Sequence, residues 1–202
     1  MKTLSDVTIV CVSKYFDAEQ MIRLFQMGYK DMGENRVDVF LEKYHQLQQY
    51  KIKWHFIGHL QRNKAKHIIN KIDVLHSLDS LELAKTIQAL REKPLEVFIQ
   101  LNATEETQKY GVDIKNLSSF YEELKKYDKI KVLGLMTMGK IDDFEGTKKA
   151  FEITCKLRKD MHLKFASMGM SDDYALALTY DTTHVRLGRY FKSILEESHG
   201  TV

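Results

Sequence analysis

Short apolar runs alternate with amphipathic stretches along the whole chain. Residues 7–12 form a β-branched run that reads as a buried strand. Residues 18–28 carry apolar side chains at helical spacing through Met21, Leu24 and Phe25, and Gly28 is a stop signal. Further strands are expected over 29–32, 53–57, 73–76, 95–101, 131–135, 163–167 and 183–187. Further helices are expected over 37–49, 64–71, 79–90, 114–126, 142–161, 171–178 and 190–197. Asp79 or Ser80 is a candidate cap, and Phe144, Ala150, Phe151 and Cys155 are apolar positions of the long helix.

These are about eight β/α units, and strict alternation of that kind predicts a parallel sheet with helices outside. The expected fold is α/β, a single (β/α)8 TIM-type barrel over residues 1–202. That length is near the lower limit for a fold whose usual size is about 250 residues. The structural rival is a doubly wound open sheet, but Ser13-Lys14-Tyr15 stands where its glycine-rich phosphate turn belongs. No Pro/Gly/Ser linker divides the chain, and its one proline, Pro94, sits between a helix and a strand.

Composition adds constraints. The chain is 44% apolar and 29% charged, which is ordinary for a globular domain. A net charge of +3 is too small to argue for nucleic acid or an anionic membrane. The densest basic stretch, Arg62, Lys64, Lys66 and Lys71, reads as a solvated helix face, with contact to an anionic partner as the alternative. Cys11 and Cys155 lack ligand spacing, and Cys11 reads as a packed thiol. The histidines do not fall into metal-binding spacing, so His55 and His76 are expected to be pocket-wall or packed residues. No run approaches the roughly 18–20 apolar residues of a membrane helix, and no signal peptide is visible. A reduced cytoplasmic setting is expected.

In this fold the functional face is the carboxyl end of the strands. Alternation puts Lys14 on the side of Val12, Val10 and Thr8. If that side is the interior, Lys14 projects into a partly desolvated mouth, where a neutral amine can attack an aldehyde. The plainer reading is a lysine that ends a strand and reaches water. Gly169-Met170-Ser171 follows strand seven and opens the next expected helix, an arrangement suited to an anion. Gly169 as a turn and Ser171 as an N-cap is the plainer reading there. Gly188 follows strand eight, and these two loops are the usual phosphate site of the fold.

The chain resembles the pyridoxal phosphate homeostasis family, single-domain relatives of the alanine racemase N-terminal barrel. The matching residues are Val12-Ser13-Lys14, Gly33-Glu34-Asn35, Trp54 to Gln61 with Asn63-Lys64, Gly134-Leu135-Met136, Met168 to Asp173 and Val185-Arg186-Leu187-Gly188. The resemblance implies a pyridoxal phosphate cofactor held as a Schiff base on Lys14. It implies that Asn35 lines the pocket and that His55, Gly58 and Gln61 belong to a nearby motif. Ser171, the amides around Met170, Gly188 and the following amide of Arg189 match the phosphate cradle, and Arg186 matches the residue facing the pyridine nitrogen. The implied function is intracellular buffering or delivery of the cofactor with little or no turnover. The implied partners are apo-enzymes that depend on it, with no nucleic acid and no membrane, and the chain is expected to be a monomer.

An arginine at the ring nitrogen donates to an unprotonated ring and weakens its action as an electron sink. Racemases of this barrel type use the same partner, so an amino-acid racemase remains an alternative. By resemblance those enzymes need a second domain and a tyrosine base from a neighbouring subunit, and this chain has no room for that domain after strand eight. An aldolase-type barrel in which Lys14 meets a sugar phosphate, and an anion-binding interaction protein, also stay open. Two departures from the family stand out. Arg189 replaces a small hydroxyl residue, and the chain reaches strand one almost at once.

Overall fold

The computed structural model describes residues 2–104 and 110–197. Eight parallel strands form the barrel: β1 (Thr8–Val12), β2 (Asp31–Glu34), β3 (Lys53–Phe56), β4 (Val74–Leu78), β5 (Leu95–Asn102), β6 (Ile130–Met136), β7 (Phe165–Ser167) and β8 (His184–Leu187). Each pairs with the next, β4 with β5 included. Closure comes from β8 against β1, with Thr8 opposite His184 and Cys11 opposite Leu187. A two-residue strand, Val112–Asp113, adds to the end of β5.

The helices are α1 (Ala18–Gln26), α2 (Val37–Gln46), α3 (Arg62–Ile68), α4 (Leu81–Leu90), α5 (Leu117–Leu124), α6 (Phe144–Asp160), α7 (Tyr174–Thr179) and α8 (Tyr190–Glu197). Their apolar faces meet the outward side chains of the strands in one large core. Phe40 of α2 is fully buried there, edge-on to Trp54 of β3 at 5.2 Å between ring centres. The strands' alternation is as expected. Cys11 joins this outer core, and burial pushes its thiol up to about 12. Val10 pairs in register with Arg186, whose side chain crosses the barrel interior.

Three elements depart from the sequence reading. β2 starts at Asp31 rather than residue 29, because Gly28 and Tyr29 still bond back to Phe25 and Leu24 and finish the helix end. Phe144 is 65% exposed, because α6 begins there under an Asp143 cap and its first turn faces solvent. α7 begins at Tyr174, three residues beyond the expected start, with consequences for the site. Ser80, not Asp79, caps α4, accepting from the Leu83 N–H. The Arg62, Lys64 and Lys66 side chains lie on the exposed face of α3, while Ala65 and Ile68 are buried.

Phe40→Ala removes a fully buried ring between helix and barrel. It should lower unfolding free energy by about 3–5 kcal/mol. Urea denaturation followed by Trp54 fluorescence reads this directly; a loss below about 1 kcal/mol would mean α2 is not held by this contact.

Candidate functional site

The site begins where β1 stops. After Val12 the chain turns into a short 3-10 segment, Ser13–Tyr15, so the strand's alternation does not carry through to Lys14. Ser13 is buried, and its hydroxyl donates to Glu34 Oε2 at 3.0 Å and to the Gly33 carbonyl at 3.1 Å. Lys43 Nζ donates to Glu34 Oε2 at 2.9 Å and to the Ser13 carbonyl at 2.6 Å. Glu34 Oε1 accepts from the Asn35 N–H. One buried carboxylate thus holds the ends of β1 and β2 together and sets the height at which Lys14 and Asn35 leave the barrel.

Lys14 itself is exposed, with its ammonium 4.8 Å from the centre of the Tyr15 ring. Lys14 thus matches the plainer reading of a lysine that ends a strand and reaches water, because the strand gives way to a 3-10 turn before it. Tyr15 lies against the turn after β8: a Cβ on Gly188 would stand 2.6 Å from its ring and 3.4 Å from Val12. Lys192, in the first turn of α8, reaches the same ring at 4.9 Å. The Gly188 N–H donates to the Ser171 hydroxyl at 3.4 Å. Lys14, Tyr15, Ser171 and Gly188 are thereby brought to one edge of the mouth. Lys192 was missed as a site candidate, although its spacing from Gly188 carries it onto the same side.

Gly169 adopts φ +97°, and a Cβ there would stand 2.9 Å from the Tyr174 backbone. The turn it allows brings its carbonyl to the Arg186 N–H at 2.9 Å. Ser171 is not an N-cap; Asp173 precedes α7 and its carboxylate accepts the Met170 N–H. Burial raises the Asp173 carboxyl, with the Met170 bond and Arg186 opposing. At this edge the Met170 N–H is thus taken by Asp173, while Ser171 and Gly188 meet across the two loops. Arg189 turns outward to an ion pair with Asp172, and both side chains are more than half exposed, so its bulk stays out of the loop.

Arg186 is buried and crosses the mouth from β8. Its Nη1 donates to the Ser167 carbonyl at 2.9 Å and hydroxyl at 2.6 Å, and its Nη2 to the Thr137 carbonyl at 3.0 Å. Burial draws its guanidinium down to about 10, with the Asp173 charge pulling the other way, so it stays charged at neutral pH. Beneath it, His76 and His55 are packed inside the barrel, as expected. His76 is 2.9 Å from the Ser167 hydroxyl and 2.9 Å from His55, which is 2.9 Å from Asp31. Burial holds both imidazoles below their ordinary value, His76 furthest, and holds His184 near about 3.

Asn35 is exposed on the other edge. A Cβ on Gly58 would stand 2.1 Å from the Asn35 carbonyl, so the glycine lets the end of β3 pack under it. Asn35, His59, Gln61 and Lys64 line an open cleft of about 400 Å³ there. Gln61 precedes α3, and His59 stacks on Tyr110 at 3.7 Å.

Two outcomes follow from these environments. Lys43→Met leaves the Glu34 carboxylate buried without its cation and should cost about 3–5 kcal/mol, most of it recovered in the pair Glu34→Gln/Lys43→Met. Equal losses in both, by urea unfolding, would deny the ion pair that role. Neutral burial of His55, His76 and His184 makes folding acid-sensitive. Their folded pKa values lie below the unfolded value, so this stability is complete above about 6.5 and falls with pH beneath it, as the unfolded imidazoles take protons first. The urea midpoint should drop between about pH 7 and 5 in the unmodified protein, and less in His76→Phe.

The alanine racemase N-terminal domain family matches residues 1–191. The pyridoxal phosphate homeostasis protein of Aquifex aeolicus is 36% identical over 186 residues, covering 87% of this chain and 82% of that protein. The Helicobacter pylori protein of the same name is 35% identical over 191 residues, 91% of this chain and 86% of its own. Among solved structures, PipY of Synechococcus elongatus with PLP bound aligns at a TM-score of 0.85 and 25% identity over 93% of each chain. Alanine racemase of Corynebacterium glutamicum shares the fold at a TM-score of 0.68 and 16% identity, and the match spans 56% of that enzyme. With a matching family model, a matching barrel and relatives of this likeness, the chain belongs to the pyridoxal phosphate homeostasis protein family.

Proposed function

We propose that this chain is one barrel domain over residues 1–202 that binds pyridoxal phosphate as a Schiff base on Lys14 and buffers or delivers it, with little or no turnover. The observation that carries the reading is the shared mouth edge, where Lys14 and Tyr15 stand beside Gly188, whose N–H meets Ser171. The donor set suits a phosphate: a hydroxyl and loop amides around Met170, Gly188 and Arg189, at a turn whose glycine has no room for a side chain. The Met170 N–H is held by Asp173, so the phosphate competes with that carboxylate for it.

Bound pyridoxal phosphate supplies an aldehyde carbon, with which the Lys14 amine condenses with loss of water. Ser171, with the Met170, Gly188 and Arg189 amides, holds the phosphate; Lys192 adds charge near it. Arg186 faces the ring nitrogen as a donor, and Asn35 borders the pocket. A donor that stays charged there disfavours ring protonation and so disfavours carbanion chemistry. Racemases of this barrel type share that partner, so the preference for a carrier rests on the relatives named for cofactor homeostasis. Cofactor-dependent apo-enzymes are the recipients in this reading. The protein is read as a cytoplasmic monomer; no helix of the described residues is long and apolar enough to cross a membrane.

Purified protein supplied with pyridoxal phosphate should turn yellow, and borohydride should fix the cofactor on Lys14, read by mass spectrometry of peptides. Lys14→Ala should lose the colour, and Ser171→Ala should weaken binding by roughly tenfold, the scale of a hydrogen bond to a charged group. Colour retained in Lys14→Ala sinks the reading. Exchange of amino-acid α-protons with deuterated solvent at catalytic rates would favour the racemase instead.

A further inference from the structure

A continuous hydrogen-bonded chain runs through the barrel interior. It starts at Asp31, the first residue of β2, on the amino-terminal end of the barrel. It passes through His55 of β3 and His76 of β4 to Ser167, the last residue of β7, and ends on Arg186. His55, His76 and Ser167 are fully buried, and Arg186 nearly so. Asp31 is 29% exposed at the far end.

The two ends fix the sense of every link. A guanidinium only donates, and an ionised carboxylate only accepts. Ser167 Oγ accepts from Arg186 Nη1, and its own proton must go to a buried acceptor. Among the described residues that acceptor is His76 Nδ1. A neutral His76 then carries its proton on Nε2 and donates to His55 Nδ1. His55 in turn carries its proton on Nε2 and donates to Asp31 Oδ1.

We propose that Asp31, His55, His76 and Ser167 form a one-way relay that positions and polarises Arg186, coupling the amino-terminal end of the barrel to the ring-nitrogen partner at its mouth. These are positioning residues; none touches the proposed cofactor. The link to the ring rests on the cofactor reading above, whereas the relay itself does not. Burial keeps both histidines neutral, as the relay requires. Burial raises the Asp31 carboxyl, but the His55 hydrogen bond and the Lys53 charge act the other way and the net shift is downward, so the anion persists. The other charged groups acting on the relay are Asp73 on His55 and Asp173 on Arg186. A single added proton on His55 reverses the two links between His55 and Ser167 and leaves the Asp31 and Arg186 links as they are. His55 Nδ1 then donates to His76, His76 Nδ1 donates to Ser167, and the serine hydroxyl loses its acceptor.

Nitrogen-15 NMR of the unmodified, cofactor-free protein tests the relay first. His55 and His76 should both appear as neutral Nε2–H tautomers from about pH 8 to 5.5, across the ordinary histidine titration. An Nδ1–H tautomer or a titration on either ring overturns the proposal. A double-mutant cycle tests the coupling. Asp31→Asn keeps an acceptor for His55 but removes the charge. It should shift the Arg186 guanidinium nitrogen signals and, in cofactor-loaded protein, move the pH midpoint of the visible band downward. Both shifts should vanish in a Ser167→Ala background. Undiminished shifts there mean the charge acts through space and the relay carries nothing. An unmodified protein that takes up no pyridoxal phosphate defeats the cofactor reading alone, because the tautomer and guanidinium signals are read without it.

Discussion

Closure of the sheet between β1 and β8 decides where chemistry can occur. Four residues of β1 run in register with the four of β8, from Thr8 opposite His184 to Cys11 opposite Leu187. Two strands that leave a barrel side by side deliver their following turns to the same place. Ser13-Lys14-Tyr15 must therefore emerge beside Gly188-Arg189, which the Tyr15 ring against Gly188 records. Without that pairing the amine and the anion-binding loop would be separate surface features. Glu34 adds the vertical coordinate, since Ser13, Asn35 and Lys43 all bond its carboxylate. A buried ion pair of this kind is weak evidence for stability, and its value here is in geometry.

The interior beneath the mouth is polar, against the usual preference of such barrels for branched apolar layers. Val74, Phe98 and Met136 form only a small apolar cluster there, with His76 and His184 packed on Phe98. Polar groups in such a place are costly unless each finds a partner. Among the described residues the interior chain meets that condition, and it does so by spending Arg186's donors on Ser167 and Thr137. The same bonds that satisfy the interior therefore orient Arg186, the buried cation beneath the mouth. Interior packing and site geometry are a single arrangement here, and a change at His76 alters both.

Much of the barrel is legible from apolar periodicity, because each strand is a short run bounded by amphipathic helix. Alternation sorts β1 into two sides without saying which is interior, and the closeness of the loops after β7 and β8 follows from the barrel itself. What alternation misses is local. It ends with the strand, so the 3-10 turn after Val12 leaves Lys14 exposed, where extrapolation buries it. The start of α7 is displaced because Asp173, not Ser171, precedes it, and its carboxylate takes the Met170 amide. The Glu34–Lys43 pair is hidden because its partners lie on different elements, the end of β2 and the buried side of α2, with no spacing rule to link them. His55 and His76 are separated by 21 residues, and only the barrel brings their rings together. The register sets His55 opposite Val74, on the same side of the sheet as His76 two residues further on, and that pairing is what the sequence does not show.

The exposure of Lys14 changes what its chemistry depends on. A lysine in a dry pocket gains reactivity from burial, and would condense with many aldehydes that reach it. A lysine in contact with water must gain selectivity from its surroundings. In the proposed reading Ser171, Gly188 and the loop after β7 would provide that, by holding an anion at a set distance from the amine. Anchoring makes the encounter effectively intramolecular, which raises the local aldehyde concentration at Lys14 without any change in the amine. The same logic makes the linkage reversible in a useful sense. In the proposed reading water would keep access to the Lys14 linkage, and the anion-binding loops rather than the lysine would retain the ligand. A lysine open to water beside such loops would suit a protein that holds an aldehyde for transfer.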